Sequence, residues 1–534
     1  MYLDRENKEE SRGKDSTLPV RIVVCSRISD MLNLTNAMAT AKLKNLSSEP
    51  KTGFLLWTAF ICGICLMTVE MTASRILAPY FGTSLFVWAN IIGVVLLALS
   101  LGYYWGGKFA DRSPTANKLY YLIFAAAVWT ASMPWFSTSI LRATLTFPST
   151  AVFGLSLLAA FLIYFVPCTI FGMISPYILK LLSKNQKNLG SEAGRLSAVS
   201  TIGCLLGTFL PVLVGLPLIG TLRTILICAA LLFFTASLGL KRKSLQLFTI
   251  ITLILIWFAP VFVSSANTIY SGESSYSFVR VYERLGNRFL QIDDPRAVHS
   301  IKMADSTITH NYWDYAIAVP AHIPTKSTLI LGVAGGNISN LFNQYFPEMK
   351  ITGIEIDPLV VEVGKQFFNT TQNPNTKIIT EEARNYLAHT SEKYDLVVLD
   401  TYHNLNLPIH LSTTEFFGLI GDHLTSNGTL AINVAHNAPQ SALDDYLLAT
   451  MAPHYQYLYS IDTNGGYNSL LIGRNQPWPE NLTNEQNQLT ATSPELYHVW
   501  QKLPPKAITQ TDPSKIQTDD RNILEWLSSS ESMR

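Results

Sequence analysis

Asp400 closes the apolar run Val397-Val398-Leu399. A carboxylate at the end of a buried strand can orient or deprotonate an amine once a ligand excludes water. An ordinary turn or capping acid is an equal reading, because Thr401-Tyr402-His403-Asn404 follows. Upstream, Gly332, Gly335 and Gly336 punctuate the end of another apolar run, STLILGVAGGN. This is not the dinucleotide pattern G-x-G-x-x-G, and many turns hold glycine for backbone angles alone. Glu355 follows Gly335 by 20 residues, the spacing at which a carboxylate can take the hydroxyls of a nucleotide ribose. An exposed strand-end acid is the alternative reading of Glu355. Glu382 marks a further strand end. His403, His410 and His436 lack metal-ligand spacing, so no metal is expected. The chain has neither a Gly-x-Ser-x-Gly elbow nor a Walker A loop.

Positioning these groups falls to the elements around them. From residue 326, apolar strands alternate with helical segments: STLILG, SNLFNQYF, KITGIEIDP, PLVVEVGKQFF, TKIITEEARNYL and YDLVVLD, with GTLAINVAH and NSLLIGRN later. That grammar predicts a Rossmann-like α/β domain over 326–534 with a parallel, doubly wound sheet. Ligands of such sheets sit beyond the carboxyl ends of the strands, where Gly332, Gly336, Glu355, Glu382 and Asp400 all fall. Residues 275–304 alternate apolar and polar side chains in short runs, predicting a small antiparallel β subdomain over 265–325.

The preceding region is of another kind. Residues 54–264 hold thirteen basic and only three acidic side chains, Glu70, Asp111 and Glu192, against 17 basic and 28 acidic in 265–534. Seven apolar stretches, near 54–73, 86–105, 119–141, 151–176, 197–220, 222–240 and 245–264, approach the roughly 20 residues a bilayer span needs. The expectation is a membrane α-helical bundle of about seven spans in the lipid bilayer, with Pro167 and Pro176 able to bend or break the fourth. Such a chain is not an ordinary soluble enzyme, a disordered chain or a nucleic-acid binder.

Alternate loops carry ten basic residues (Lys108, Arg112, Lys118, Lys180, Lys184, Lys187, Arg195, Lys241, Arg242 and Lys243) against three (Arg75, Arg142 and Arg223). Basic short loops stay cytoplasmic. In a bacterial inner (plasma) membrane this puts the amino terminus inside and, after seven spans, residues 265–534 outside. Residues 1–53 read as a polar, disordered arm, with Met38 an alternative start. Cys62-x-x-Cys65 reads as helix packing rather than redox chemistry. Glu70 and Arg75 read as anchors near the interface. The GGKFADR turn is similar to a loop of major-facilitator transporters, which keeps a transporter or receptor as an alternative.

Taken in order, ESSYSFVRVYE, LILGVAGG, GIEIDPLVVEVGKQFF, EEARNYL, YDLVVLDTY, LPIHLSTTEFF and TDDRN resemble the polyamine aminopropyltransferase (spermidine synthase-like) family. VEMTASRILAPYFGTSLFVW resembles the first span of its membrane-fused members. The resemblance implies aminopropyl transfer from decarboxylated S-adenosylmethionine to a small cationic amine, in a chain free to form an oligomer. It implies that Gly332 and Gly336 shape the nucleotide turn and that Glu355 holds the ribose. Glu382 would meet adenine, Asp400 would receive and deprotonate the amine, and Tyr276 and Tyr402 would contact substrate.

The chain departs from the family at several places. Ala334 and Gly335 interrupt the usual Gly-Gly-Gly-Asp-Gly turn, Tyr276-Ser277 replaces Tyr-Gln, His403 replaces a second acid, and Tyr312-Trp313-Asp314 replaces Tyr-His-Glu. The co-substrate is cytoplasmic, whereas the loop charges put the domain outside. An amine-activating transferase or cyclase acting on exported peptides or other amine-bearing substrates is therefore a further alternative.

Overall fold

The computed structural model describes residues 51–81, 85–112, 114–144, 152–183, 188–258, 267–293, 297–402, 407–436, 442–463, 467–480, 493–524 and 527. The expectations placed on residues 1–50 (Met38 included), on Lys184 and Lys187, and on His403 fall outside these residues.

Apolar sequence makes the first part helical: α1 (Thr52–Phe81), α2 (Leu85–Arg112), α3 (Ala116–Thr144), α4 (Val152–Leu182), α5 (Leu189–Leu210), α6 (Leu216–Leu240) and α7 (Lys243–Phe258). Helix α4 runs through both Pro167 and Pro176. Small residues let backbones approach, as in helix packing within lipid. A Cβ on Gly207 of α5 would lie 2.3 Å from the Ile64 carbonyl of α1, and one on Gly102 of α2 equally close to Thr169 of α4. Cys65 Sγ contacts the Cys228 carbonyl at 3.6 Å, a packing contact between α1 and α6.

Among the described residues, five helical stretches rather than seven are long and apolar enough to cross a membrane. The difference arises after residue 188. Leu189–Leu240 is one apolar stretch of 52 residues, continued from α5 into α6 by a π turn at Pro211–Gly215. It is not a straight rod. Gly220 has φ 78° and ψ 168°, and a Cβ on Gly215 would lie 2.9 Å from Thr224 Oγ1. Nine residues of straight helix would separate those positions by about 13 Å, so the chain folds back at Gly220. The last apolar helix, Gln246–Leu255 within α7, is shorter than a span needs.

The second part begins with four antiparallel strands in sequential order: β1 (Thr268–Glu273), β2 (Phe278–Arg284), β3 (Asn287–Ile292) and β4 (Ser300–Lys302). The sequence pattern missed β1, which lacks clean alternation. The main sheet has eight strands: β5 (Ser327–Leu331), β6 (Lys350–Glu355), β7 (Thr376–Thr380), β8 (Tyr394–Leu399), β9 (Leu424–Ala435), β10 (Tyr457–Asp462), β11 (Asn468–Arg474) and β12 (Lys506–Ile508). Their spatial order is β12-β10-β11-β9-β8-β5-β6-β7. Helices α8 (Asn337–Tyr345), α9 (Pro358–Phe368), α10 (Ala383–His389), α11 (Thr414–Asp422) and α12 (Leu443–Met451) connect them.

Strands β7, β6, β5, β8 and β9 are parallel, but β11, β10 and β12 join antiparallel. The expected all-parallel sheet is therefore mixed. Only residues 463–467 separate β10 from β11, too few for a parallel crossover, which takes about a dozen residues or more. Both faces of the central strands are buried. Ile330, Val398 and Ala431 pack with Leu341 and Phe342 of α8. Their neighbours Leu331, Leu399 and Ile432 pack with Leu387 of α10 and Phe416 of α11. This alternation explains the continuous apolar runs.

The two parts meet at β1. Glu273 Oε2 accepts from Thr221 N (3.1 Å) and Oγ1 (2.7 Å) at the fold-back. Arg75 Nη2, near the end of α1, donates to the Ser275 carbonyl at 2.5 Å. The opposite end of the bundle carries the Lys180–Asp111 ion pair (2.6 Å) and Tyr177 OH on the Thr115 backbone.

Candidate active site

The turn after β5 is built around backbone proximity. Gly332 has φ 86°, and a Cβ there would lie 2.3 Å from the Asp400 carbonyl oxygen, so only glycine lets β5 and β8 end side by side. Gly336, at φ 85°, starts α8. Ala334 also takes a left-handed conformation, φ 48°, which a side chain disfavours. The carboxylate of Glu355 anchors it: Oε2 accepts from Ala334 N (2.9 Å) and Val333 N (3.2 Å), and Oε1 from Asp357 N (3.2 Å). Burial pushes the Glu355 carboxyl up, and those N–H groups oppose the shift.

Asp400 lies across the turn at the end of β8. Its Oδ1 accepts from Asn433 Nδ2 at 2.8 Å, and Asn433 Oδ1 accepts from Asn468 Nδ2 at 2.9 Å. Burial raises the Asp400 carboxyl from 3.8 to about 7, against which the Asn433 hydrogen bond works. Neighbouring Tyr312 is pushed up by burial and by the Asp400 charge. A buried carboxylate with one side-chain donor is a base in waiting, since an incoming ammonium would restore its ionised form.

A cavity of about 980 Å³ gathers these groups. Gly332, Glu355, Glu382, Asp400, Tyr276 and Tyr402 all line it, whereas Gly336 shapes the turn without lining it. Glu382 caps α10, accepting from Asn385 N (2.7 Å) and pairing with His410 Nε2 (3.0 Å). Burial opposes its ionisation, but the Arg384 and Asn385 backbone donors and His410 outweigh it and hold the carboxyl below its ordinary value. Tyr276 is 47% exposed at the rim. The Tyr402 hydroxyl is committed to β9, donating to the Asn433 carbonyl (2.6 Å) and accepting from Ala435 N (2.8 Å). Only its ring is left to face a ligand.

Several site residues were not found by sequence reasoning. Asn433 is a polar side chain inside the apolar strand LAINVA, and that interruption was a readable signal. Asp357 starts α9 and accepts from Ser274 and Ser277 Oγ, both at 2.6 Å, which fixes Tyr276 between them. Trp88, from α2 of the bundle, lines the same cavity, and no local pattern announces it. Asp314 stands outside the lining. Its oxygens accept from Thr309 N and Oγ1 and from His310 N, and His498 Nε2 lies 3.3 Å from Oδ2, so it braces its own loop against the segment that carries His498. The TDDRN segment acts from behind. Asp519 takes Arg384 in a two-pronged pair (2.8 and 2.6 Å), and Asn522 Nδ2 donates to the Ile409 carbonyl at 3.0 Å, bracing the Pro408–Leu411 wall.

Residues 314–452 match the spermine/spermidine synthase domain, so the C-terminal half carries that domain. A probable polyamine aminopropyl transferase of Bifidobacterium longum is 32% identical over 169 residues, covering 32% of this chain and 37% of that protein. The polyamine aminopropyltransferase of Vibrio vulnificus is 26% identical over 211 residues, 38% of this chain and 70% of its own length. The match thus spans little more than a third of the first relative and about two thirds of the second. Among solved structures, a probable spermidine synthase from Corynebacterium glutamicum aligns at 17% identity with a TM-score of 0.37, covering 47% of this chain and 92% of that one.

Proposed function

We propose that this chain is a multi-pass membrane protein whose C-terminal half, 265–534, transfers an aminopropyl group from decarboxylated S-adenosylmethionine to an amine. The observation that carries the reading is Asp400. It is a buried carboxyl, raised to about 7, with Asn433 as its side-chain donor, in a cavity that also collects the Glu355-anchored turn and Glu382. A volume of about 980 Å³ suits a nucleoside plus an acceptor.

In this reading the Val333–Gly336 turn and Glu355 hold the ribose, and Glu382 with His410 meets the adenine side. Asp400 receives the ammonium end of the acceptor and takes one proton from it. The freed nitrogen lone pair displaces the sulfur at the propyl carbon, a C–N bond forms as the C–S bond breaks, and neutral 5′-methylthioadenosine leaves. The chain contributes positioning and the base, with no covalent intermediate. The acidic excess of residues 265–534 favours cationic acceptors.

The bundle, 54–264, is read as membrane-embedded because its outward side chains are apolar, such as Leu213 at 69% and Leu218 at 73% exposure. Counting α5 and α6 as separate crossings, with α7 as a short last one, gives seven. The α/β half joins the bundle at the end opposite Lys108, Arg112 and Lys180, the basic loops expected in the cytoplasm. That observation favours a second reading, in which the same base serves an amine-bearing substrate outside the cytoplasm. Reporter fusions at the carboxyl terminus separate the two. Green fluorescent protein fluorescence supports the cytoplasmic transferase, and alkaline phosphatase activity supports the exported-substrate reading.

A further inference from the structure

We infer that the acceptor is a mono-amine with an apolar body rather than a diamine, and that Trp88 of the helical bundle forms part of the wall against which that body packs. The inference rests on the transferase reading. It follows from where the carboxylates of the cavity are spent. Among the described lining residues, Glu355 holds the turn N–H groups, Asp357 holds Ser274, Ser277 and the Leu359 N–H, Glu381 accepts from Asn385 Nδ2, and Glu382 caps α10 and pairs with His410. All four stand at the ends of β6 and β7, on the nucleotide side. Asp400 alone stands across the turn at the end of β8, and Asp314, outside the lining, is committed to its own loop and to His498.

One carboxylate neutralises one ammonium. A second, desolvated ammonium would have no described carboxylate there, and an aromatic face returns only part of what leaving water costs. The remaining lining suits an apolar body: Trp88, Val298, Tyr312, Trp313, Leu407 and Ile409. Trp88 arrives from α2. The neighbouring contacts, Arg75 to the Ser275 carbonyl and Thr221 to Glu273, hold the Ser274–Ser277 turn of the same cavity against the bundle. Trp88 thus carries the bundle into the wall of this cavity, where an apolar acceptor tail would pack.

The test uses the full-length chain in detergent, with n-hexylamine and 1,4-diaminobutane as probes and 5′-methylthioadenosine as a control. Calorimetric titration without donor should show hexylamine binding at least tenfold more tightly than diaminobutane. Trp88→Ala should weaken hexylamine at least tenfold, Trp88→Phe should restore most of that loss, and methylthioadenosine should bind all three proteins alike. Equal or tighter binding of diaminobutane, or hexylamine affinity untouched in Trp88→Ala, overturns the inference. If the alanine variant also loses methylthioadenosine, the wild-type preference decides alone. Hexylamine binding without any transfer would overturn the transferase reading, and with it the acceptor role, while leaving the preference of the site for an apolar mono-amine. Transfer that prefers diaminobutane would do the reverse.

Discussion

Asn433 holds Asp400: its amide nitrogen lies 2.8 Å from Oδ1, while its own oxygen is fixed by Asn468 at 2.9 Å. The amide is thereby oriented with its donor toward the carboxylate, from the strand beside the one that Asp400 ends. The pair converts a buried acid into an aimed one.

Removing Asn433 should separate aim from burial. Asn433→Ala deletes the hydrogen bond that favours the ionised form, so the carboxyl should rise above about 7. The acid limb of the rate profile should move to higher pH, and kcat should fall by roughly ten- to a hundredfold. Steady-state rates between pH 6 and 9 check both effects, and an unmoved limb would mean that Asp400 is not the base.

Asp400 should cost the empty protein stability as pH rises. Its folded value, about 7, exceeds its ordinary 3.8, so its contribution is full below about 4 and is lost as pH climbs through about 7. Asp400→Asn carries no charge to bury. Its Tm should exceed wild type at pH 8, with the difference shrinking toward pH 4, while transfer disappears. Scanning calorimetry at a series of pH values gives the comparison.

The turn allows a conformational test. Ala334 sits at φ 48° and Gly332 at φ 86° with the Asp400 carbonyl against it. Ala334→Gly should stabilise by about 0.5–1 kcal/mol, since glycine adopts the left-handed region freely. Gly332→Ala should destabilise and displace the Asp400 backbone. Denaturation midpoints for the two variants should move in opposite directions.

The junction should loosen without Thr221. Glu273, raised by burial, loses its hydroxyl donor in Thr221→Val and keeps the backbone one. An underpaired buried carboxyl costs about 1–3 kcal/mol. Faster limited proteolysis of the full-length chain, with unchanged methylthioadenosine affinity, is the expected result.

Much of the α/β half was legible because its periodicity is local. Each strand of the parallel core is an apolar run, and Gly332, Glu355, Glu382 and Asp400 could be placed at strand ends from order alone. What the sequence hid is relational. The antiparallel return of β11 depends on a short connection after β10, and although the apolar stretches divide at 220–222, the fold-back there depends on the backbone angle of Gly220. Asn433 meets Asp400 only through strand adjacency. Trp88 reaches the cavity only because the bundle end packs on β1, some 180 residues downstream of it. Hydropathy divided this region at 220–222, beside the turn at Gly220, but composition alone carries no backbone angle.

The most direct measurement is 5′-methylthioadenosine release by the purified full-length chain, given labelled decarboxylated S-adenosylmethionine and an amine acceptor. The account predicts stoichiometric release of methylthioadenosine and aminopropylated amine in wild type, and neither in Asp400→Asn, although that variant still binds methylthioadenosine. Equal turnover in Asp400→Asn, or a wild-type protein that binds neither nucleoside, would contradict it.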